Sequence, residues 1–397
     1  MGITEKTLKL IKKIFSFEYL FLFLFLVLLP FGQLARFNIQ LGGTSLPLLI
    51  ADVAVGLGAL YTIFFQKKTK VLKYLSFFLL VSLFSFVLSY FYFGTKIIYG
   101  LFYLIRITSY FIFFNYVWNY IGGREGRKKL LIYSLISVSV ISAIFGWIQM
   151  AILPDLKILF YIGWDMHLYR LAGTFFDPTF LGLIIVFGLI LSIFRLTEKV
   201  EKKYIAITIF LLISLAFTYA RACYLAFFVG ILVIALLKKK FRKVIYLALG
   251  LVLIALILPT ANNHSNALTR VFSITARITN YKETIQIIRK FPVFGVGYNN
   301  LCVARNMYIG EESFASHACS GSDSSLLLIL ATTGVVGFLV FIGGGIRIYQ
   351  MLPKDDNKII LIASGAAVFT HSIFSNSLFY PWVMGYLIIL LAVSLKE

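Results

Sequence analysis

Apolar runs of about 20 residues recur along almost the whole chain and leave little room for any other fold. Twelve such runs are found, at about 15–35, 46–65, 74–93, 97–118, 130–151, 174–194, 204–219, 222–237, 244–259, 323–346, 359–378 and 381–395. In a bilayer no water is available to bond exposed peptide groups, so an apolar run of this length is satisfied as a helix. The sequence therefore predicts an all-α protein, a polytopic transmembrane helical bundle of about 12 spans.

Basic residues are concentrated in alternate connections between these runs. The clusters lie at 6–13, 67–73, 124–129, 195–203, 238–243 and 347–358, and the whole chain has a net charge of +21. Short clusters separated by apolar runs do not form the continuous basic face that nucleic acid requires, so no nucleic acid partner is expected. By the positive-inside rule these connections and both termini are cytoplasmic. The remaining connections are then extracytoplasmic.

Arg221 interrupts what would otherwise be one long apolar run. A single helix over 204–237 would measure about 51 Å, against a hydrocarbon core of about 30 Å. It would also place the basic clusters at 202–203 and 238–240 on opposite sides of the membrane. We therefore predict two spans joined by a hairpin, with Arg221 at its outer apex.

The connection 260–322 is the largest outer segment and divides the chain into spans one to nine (1–259), an extracytoplasmic loop (260–322) and spans ten to twelve (323–397). From Ala276 to Lys290 the apolar residues recur at helical spacing, which predicts an amphipathic helix that Pro292 ends. Cys302 and Cys319 share this loop and can form a disulfide in an oxidising compartment, although a sequence does not give the distance between them.

Three arginines stand beside predicted outer ends of spans: Arg170, Arg221 and Arg277. Each of them alone can carry its charge to the lipid headgroups along a flexible stem. Together they can form an anion clamp, because a guanidinium group donates two parallel hydrogen bonds to phosphate oxygens. A phosphate ester or diphosphate at the membrane surface is the ligand expected at that depth. Arg305, in the same loop, is expected to be dispensable.

Asp323 and His317 are the acid or base candidates near the start of the tenth span. Asp323 can cap that helix, can act on a substrate proton, or can do both. His317 is either a hydrogen-bonded loop residue or a second candidate base. No spacing typical of a metal or nucleotide site occurs in the sequence, so neither a metal nor another cofactor is predicted.

Three polar residues lie inside predicted spans: Asp52, Arg106 and His371. Asp52 and Arg106 fall in the outer halves of their spans, where they can pair with each other or line a cavity. His371 can line a cavity or hydrogen-bond to a neighbouring helix.

Five motifs occur in an order that resembles one family of membrane enzymes. They are Arg170–Phe175, Tyr219–Ala222, Arg277, Phe291–Gly297, and Asp323–Leu326 followed by Gly334 and Gly337. Together they resemble the O-antigen ligase and polymerase superfamily of polytopic glycosyltransferases. The resemblance implies a GT-C-like bundle in the bacterial inner membrane with its site on the periplasmic face. It also implies a glycan donor linked to undecaprenyl diphosphate, a glycan acceptor, arginines that hold the diphosphate without a metal, and a chain-length regulator as a further partner.

One departure from this family concerns Asp323. Ligases of the superfamily usually have His-Asn where this chain has Asp323-Ser324, and the His is thought to activate the acceptor hydroxyl. Either Asp323 takes that role or His317 reaches in. The difference favours an inverting polymerase of lipid-linked repeat units over ligation of a finished glycan to a lipid A core or a protein. A lipid-linked glycan transporter or flippase is the alternative of another class, and it predicts inverted repeats and broken helices at the bilayer midplane.

Overall fold

The computed structural model describes residues 19–41, 44–162, 166–257, 271–310 and 321–395. These residues are mostly helical. The α-helices are α1 Leu20–Leu28, α2 Ile50–Phe65, α3 Lys70–Phe93, α4 Ile98–Ile121, α5 Glu125–Ile152, α6 Pro178–Glu198, α7 Lys202–Phe217, α8 Arg221–Lys238, α9 Phe241–Ile257, α10 Val271–Lys290, α11 Leu301–Tyr308, α12 Ser325–Met351, α13 Asp356–His371 and α14 Pro381–Ser394. Short 3-10 helices lie at Leu29–Ala35, Gly94–Ile97, Lys157–Ile162 and Gly173–Phe175.

Each predicted apolar run overlaps one of the helices α1–α9 or α12–α14. Within the described residues, five helical stretches are long and apolar enough to cross a membrane. They are Lys70–Ile121 (α3 with α4), Glu125–Ile152, Pro178–Glu198, Arg221–Lys238 and Ser325–Met351. Several other apolar helices are shorter, such as Pro381–Ser394. The protein is therefore a helical membrane protein, while the number of about 12 spans and the GT-C-like arrangement stay predictions.

Helix α6 lies at the centre of the bundle. Its side chains from Leu181 to Phe194 are buried on all sides, and the helix packs against α5, α7, α8 and α13. A helix that is apolar around its whole circumference is stable only when other helices cover every face. The residues just before α6 are consequently held in the interior of the bundle end.

The predicted hairpin at Arg221 is confirmed, because α7 ends at Phe217 and α8 begins at Arg221. The turn between them places Tyr219 in the left-handed region with φ of 49°. Two helices meeting at such a turn point their ends at the same side of the bundle.

The second predicted span was placed too early, and a β-hairpin occupies its first residues. Strand β1 (Arg36–Leu41) pairs antiparallel with β2 (Thr44–Leu49), and Arg36 lies opposite Leu49. Helix α2 begins only at Ile50. Apolar composition could not separate these two states, because a short apolar run fits a strand as well as a helix.

Helix α12 is interrupted at Gly334, whose φ of 67° and ψ of −171° are not helical. The segment Phe291–Gly297, which follows α10, fills this interruption. Val335 N–H donates to Pro292 O at 2.9 Å, and Val296 N–H donates to Ala331 O at 2.9 Å. Peptide groups left open by the break are thereby satisfied, as buried peptide groups must be. The amphipathic helix predicted up to Lys290 is confirmed, and its end is fastened to α12.

Candidate functional site

The candidate site lies at one end of the bundle. Helices α6, α8, α12 and α14 begin there and α7 and α13 end there, as cross-contacts between their terminal residues show. The basic connections at 195–203, 238–243 and 347–358 lie at the other ends of these helices. The helix ends therefore separate the basic clusters from the arginines that were singled out in the sequence.

Arg170 is almost fully buried, with 4% of its surface exposed. Its Nε donates to Thr218 O at 2.9 Å and one terminal nitrogen donates to Tyr219 O at 3.3 Å. The other terminal nitrogen lies 3.5 Å from His167 Nδ1. Two carbonyl groups of the α7–α8 turn are thus held by one guanidinium group. Arg170 fixes the turn from which Arg221 starts.

Arg221 and Arg277 lie close enough together for their positive charges to interact. Both side chains are half-buried. Within the described part of the chain, Arg277 makes no hydrogen bond or ion pair. Two like charges held together at a partly buried place repel each other, and a bound anion relieves this repulsion. The structure thus brings Arg221 and Arg277 within electrostatic reach of each other, next to the turn that Arg170 binds.

Tyr281 is within electrostatic reach of both Arg277 and Asp323. Its hydroxyl donates to Ile373 O at 2.6 Å, which ties α10 to the residues after α13. Burial raises the pKa of Tyr281, and the charge of Asp323 adds to this while that of Arg277 opposes it. Both charges therefore reach the same phenol.

Asp323 does not cap α12, so the capping interpretation was wrong. The capping residue is Ser324, whose hydroxyl accepts from Leu327 N–H at 3.5 Å. The Asp323 peptide N–H instead donates to Asn280 Oδ1 at 2.9 Å. Two adjacent residues were equally suitable as caps in the sequence, and the backbone geometry selected the second. Asp323 is thereby attached to α10, the helix that carries Arg277.

Asn280 and Arg305 organise this attachment, and sequence reasoning missed both. Arg305 is 1% exposed, and its guanidinium donates to Asn280 O at 3.1 Å, Thr284 Oγ1 at 2.9 Å and Gly321 O at 3.3 Å. Arg305 therefore has a structural role, since its removal would leave buried acceptors unpaired, while its dispensability for activity stays a prediction. The amphipathic pattern of α11, which carries Arg305, was the available signal.

His371 is fully buried and lies against α8. Its Nε2 is 3.4 Å from Cys223 Sγ, and that thiol donates to Thr179 O at 3.1 Å. The interpretation as a contact between helices is thus confirmed. Among the described residues no partner is found for its Nδ1. Arg277 is within electrostatic reach of His371.

Asp177 is a further charged residue of this end that the sequence analysis did not single out. Its carboxylate accepts from Thr179 N–H at 2.6 Å and so caps α6, which has proline at its first position. Burial alone would raise the pKa of Asp177, but His167, the hydrogen bonds from Thr179 and the charge of Arg170 together lower it. Asp177 thus remains ionised next to Arg170. The Asp-Pro pair before an apolar run was the signal, since it is typical of a helix start.

Asp52 and Arg106 form the predicted ion pair, at 2.9 Å between Oδ2 and a guanidinium nitrogen. They also line a cavity of about 260 Å³ between the β-hairpin, α2 and α4. Both sequence interpretations therefore hold for these two residues. His371 is not among the residues that line this cavity.

Two predicted features fall outside the described residues: His317 and the cysteine Cys319. Cys302 is disulfide-bonded, whereas Cys223 is a free, buried thiol. In the part of the chain that the structure describes, no three His, Cys, Asp or Glu side chains come together as a group able to hold a metal ion.

The apolar helices define a helical membrane protein, and one end of its bundle carries Arg170, Arg221 and Arg277. Residues 206–342 match the family model described as O-antigen ligase (Wzy_C). This range runs from α7 into α12 and contains Arg221, Arg277 and Asp323. The match supports the O-antigen ligase and polymerase superfamily, whose members are membrane glycosyltransferase-like ligases or polymerases. No curated protein matches the chain.

Proposed function

We propose that this protein is an extracytoplasmic, inverting glycosyltransferase that polymerises oligosaccharide repeat units linked to undecaprenyl diphosphate. The observation that carries the proposal is that Arg277 lies within electrostatic reach of Arg221. Arg277 itself has no hydrogen-bonding partner among the described residues. Such a pair of guanidinium groups complements a diphosphate in charge and in geometry. The family match to residues 206–342 supports a lipid-linked glycan as the molecule that carries this diphosphate.

The diphosphate is the leaving group of the reaction. As the bond between the anomeric carbon and the diphosphate oxygen breaks, negative charge grows on that oxygen. Arg221 and Arg277 stabilise this charge directly, while Arg170 adds its own charge and holds the turn in place. The arginines supply the positive charge for which other glycosyltransferases use a metal, so the proposed reaction is metal-independent.

Asp323 is the proposed base. Its carboxylate takes the proton of the acceptor hydroxyl while the hydroxyl oxygen attacks the anomeric carbon from the face opposite the diphosphate, which inverts the configuration. The hydrogen bond from Asp323 N–H to Asn280 holds this residue near the arginine pair. His317 is the second candidate for the same role. The charge pattern of the connections supports a site on the periplasmic face of the inner membrane, with both termini cytoplasmic. A chain-length regulator is a proposed partner.

A ligase is the second candidate function, and the description of the matching family as O-antigen ligase favours it. In that case the acceptor is a lipid A core or a protein, and the arginine pair keeps its role. The Asp323-Ser324 pair in place of His-Asn supports the polymerase instead.

Transport of a lipid-linked glycan is the alternative of another class. Broken helices are typical of transporters, and α12 is broken at Gly334. In this chain, however, residues 292–296 fill the break with hydrogen bonds, so it does not open onto a substrate path.

One assay separates these functions. The purified protein is incubated with an undecaprenyl-diphosphate oligosaccharide, with and without a core acceptor. A ladder of products from the donor alone supports the polymerase, and product formed only with the core supports the ligase. Absence of any transferred glycan, together with movement of the donor across vesicle membranes, contradicts both and supports transport.

Arg277→Lys tests the anion clamp. Lysine keeps the charge but loses the two parallel donors, so we expect transfer to fall about tenfold or more. Arg289→Lys is the matched control, because Arg289 is exposed on the same helix. The purified variants are compared in the transfer assay and by thermal unfolding. Full activity of Arg277→Lys would remove the clamp from the proposal, since a residue that only reaches the lipid headgroups tolerates lysine.

A further inference from the structure

The cavity beside the β-hairpin has an apolar wall and an apolar opening. Its volume is about 260 Å³, and it lies between β1, β2, α2 and α4. Four of its lining residues are also exposed on the flank of the bundle, by 40–54%: Ile39, Val53, Phe102 and Ile105. In a helical membrane protein this flank faces hydrocarbon. The opening thus fits a hydrocarbon chain and not a polar solute.

The inner end of the cavity is polar and carries more positive than negative charge. Asp52 accepts from Arg106 and, at 3.1 Å, from the Tyr110 hydroxyl, while Arg106 also donates to Pro47 O. A second guanidinium group, that of Arg36, is within electrostatic reach of Arg106. Arg36 lies opposite Leu49, whose N–H donates to Asp52, and its own Nε donates to Asn38 Oδ1 at 3.0 Å. Two guanidinium charges therefore lie near one carboxylate, so the sum of these three charges is positive, which favours an anionic group nearby.

The polar end of this cavity is connected to the arginine pair by an aromatic wall. Arg36 is also within electrostatic reach of Tyr380. The Tyr380 ring lies 3.8 Å from the Phe180 ring between centroids, and Phe180 follows Thr179, which binds Cys223 beneath the site. The cavity and the arginine pair therefore lie at the same end of the bundle.

We propose that this cavity binds the hydrocarbon chain of a second anionic lipid, whose phosphate group lies against Arg36 and Arg106. Under the proposed function, on which the identity of this lipid rests, it is the lipid-linked glycan acceptor of the polymerase. A polymerase joins two lipid-linked glycans, so it needs two lipid sites, whereas one donor site suffices for ligation to a protein. A phosphatidylglycerol from the bilayer presents the same chemistry and is the other source.

Gly56→Leu tests the cavity without disturbing the packing. Gly56 lines the cavity, and a Cβ at this position meets no atom within 4 Å. A leucine side chain would occupy space that the lipid chain uses. Displacing about two methylenes of that chain lowers affinity about tenfold. Gly250→Leu is the matched control, since a Cβ on Gly250 in α9 also meets nothing within 4 Å. Arg36→Gln tests the charged end.

Native mass spectrometry of the full-length chain in a neutral detergent counts bound lipids and gives their affinities. The probes are undecaprenyl phosphate, phosphatidylglycerol and phosphatidylcholine. We expect two undecaprenyl phosphate molecules per chain, one of which is weakened about tenfold by Gly56→Leu and by Arg36→Gln and is unchanged in Gly250→Leu. Arg277→Lys weakens the other one.

The outcomes separate the two lipid sources and the two proposals. Preference for undecaprenyl phosphate supports a substrate lipid, and equal binding of phosphatidylglycerol supports a bilayer lipid in the same site. Equal binding of phosphatidylcholine, or wild-type binding by both cavity variants, overturns the site. If the wild-type protein binds only one lipid, and only Arg277→Lys loses it, this inference is overturned and the proposed function stands. If a lipid binds in the cavity but the protein transfers no glycan, the proposed function is overturned and the lipid site in the cavity stands.

Discussion

Gly334→Ala is the substitution whose effect follows most directly from the structure. Gly334 interrupts α12 with a positive φ, and an added Cβ would overlap the carbonyl group of Val293. That carbonyl belongs to the segment that fills the interruption and also fastens the end of α10. Neither the backbone angle nor the space around it suits any residue with a side chain.

The cost has two parts. A non-glycine residue in this region of backbone space costs about 1–3 kcal/mol. Moving the segment away to relieve the overlap also weakens the hydrogen bonds from Val335 N–H to Pro292 O, from Val336 N–H to Val293 O and from Val296 N–H to Ala331 O, each worth about 1 kcal/mol. We therefore expect the free energy of unfolding to fall by about 4–6 kcal/mol when the strain and the loss of all three hydrogen bonds add.

Thermal unfolding of the purified protein in detergent measures this effect. Gly343→Ala is the control in the same helix, because a Cβ there meets no atom within 4 Å, and alanine is the better helix former by about 1 kcal/mol. Gly334→Ala should unfold at a clearly lower temperature than wild type, and Gly343→Ala at the same or a higher one. Equal unfolding temperatures for the two variants would refute the argument that Gly334 is required for the docked segment.

Three other predictions test the site and the topology. Asn280→Ala removes the acceptor of Asp323 N–H, so we expect kcat to fall about tenfold with the donor KM unchanged; a raised KM at constant kcat would instead assign Asn280 to donor binding. The lowered pKa of Asp177 means that its carboxylate stabilises the fold at neutral pH and that this stability is lost as pH falls through the folded-state pKa. Asp177→Asn should therefore be less stable than wild type above about pH 4, and the difference in stability should shrink below that pH. Unfolding curves from about pH 3 to pH 7 measure this difference. A difference that is constant over this range would contradict a stabilising, ionised Asp177. A cysteine at exposed Gly126 should be shielded from an impermeant thiol reagent in intact cells and one at exposed Thr279 should react, and the opposite labelling would invert the topology.

The helices were predictable because their cause is local. Each apolar run becomes helical in a bilayer because its own peptide groups must be hydrogen-bonded there. The break before Arg221 followed from the length of residues 204–237 and from the basic clusters on either side. The end of α10 before Pro292 followed from the missing N–H of proline. The arginine pair was predictable in part, since Arg221 and Arg277 were recognised as unusual on the outer side.

The remaining features depend on contacts between distant residues. The β-hairpin needs Arg36–Leu41 and Thr44–Leu49 to pair, and the break at Gly334 exists only because residues 292–296 fill it. The partners of Arg305 are distant in the same way: the amphipathic pattern of α11 predicts that Arg305 is buried, but its acceptors lie on α10 and at Gly321. Arg170, in turn, is mainly occupied with backbone carbonyls that sequence cannot place.

Helix α10 carries Arg277, Asn280 and Tyr281 within little more than one turn. Each residue added to a helix rotates everything beyond it by about 100°. A single inserted or deleted residue between Arg277 and Asn280 would therefore turn the Arg277 side chain away from Asn280, which binds the Asp323 N–H, even if the helix stayed intact. The sequence of this turn is free to change in its exposed side chains but not in its length, so natural length variation in the outer loop has to fall before Arg277 or after the helix ends.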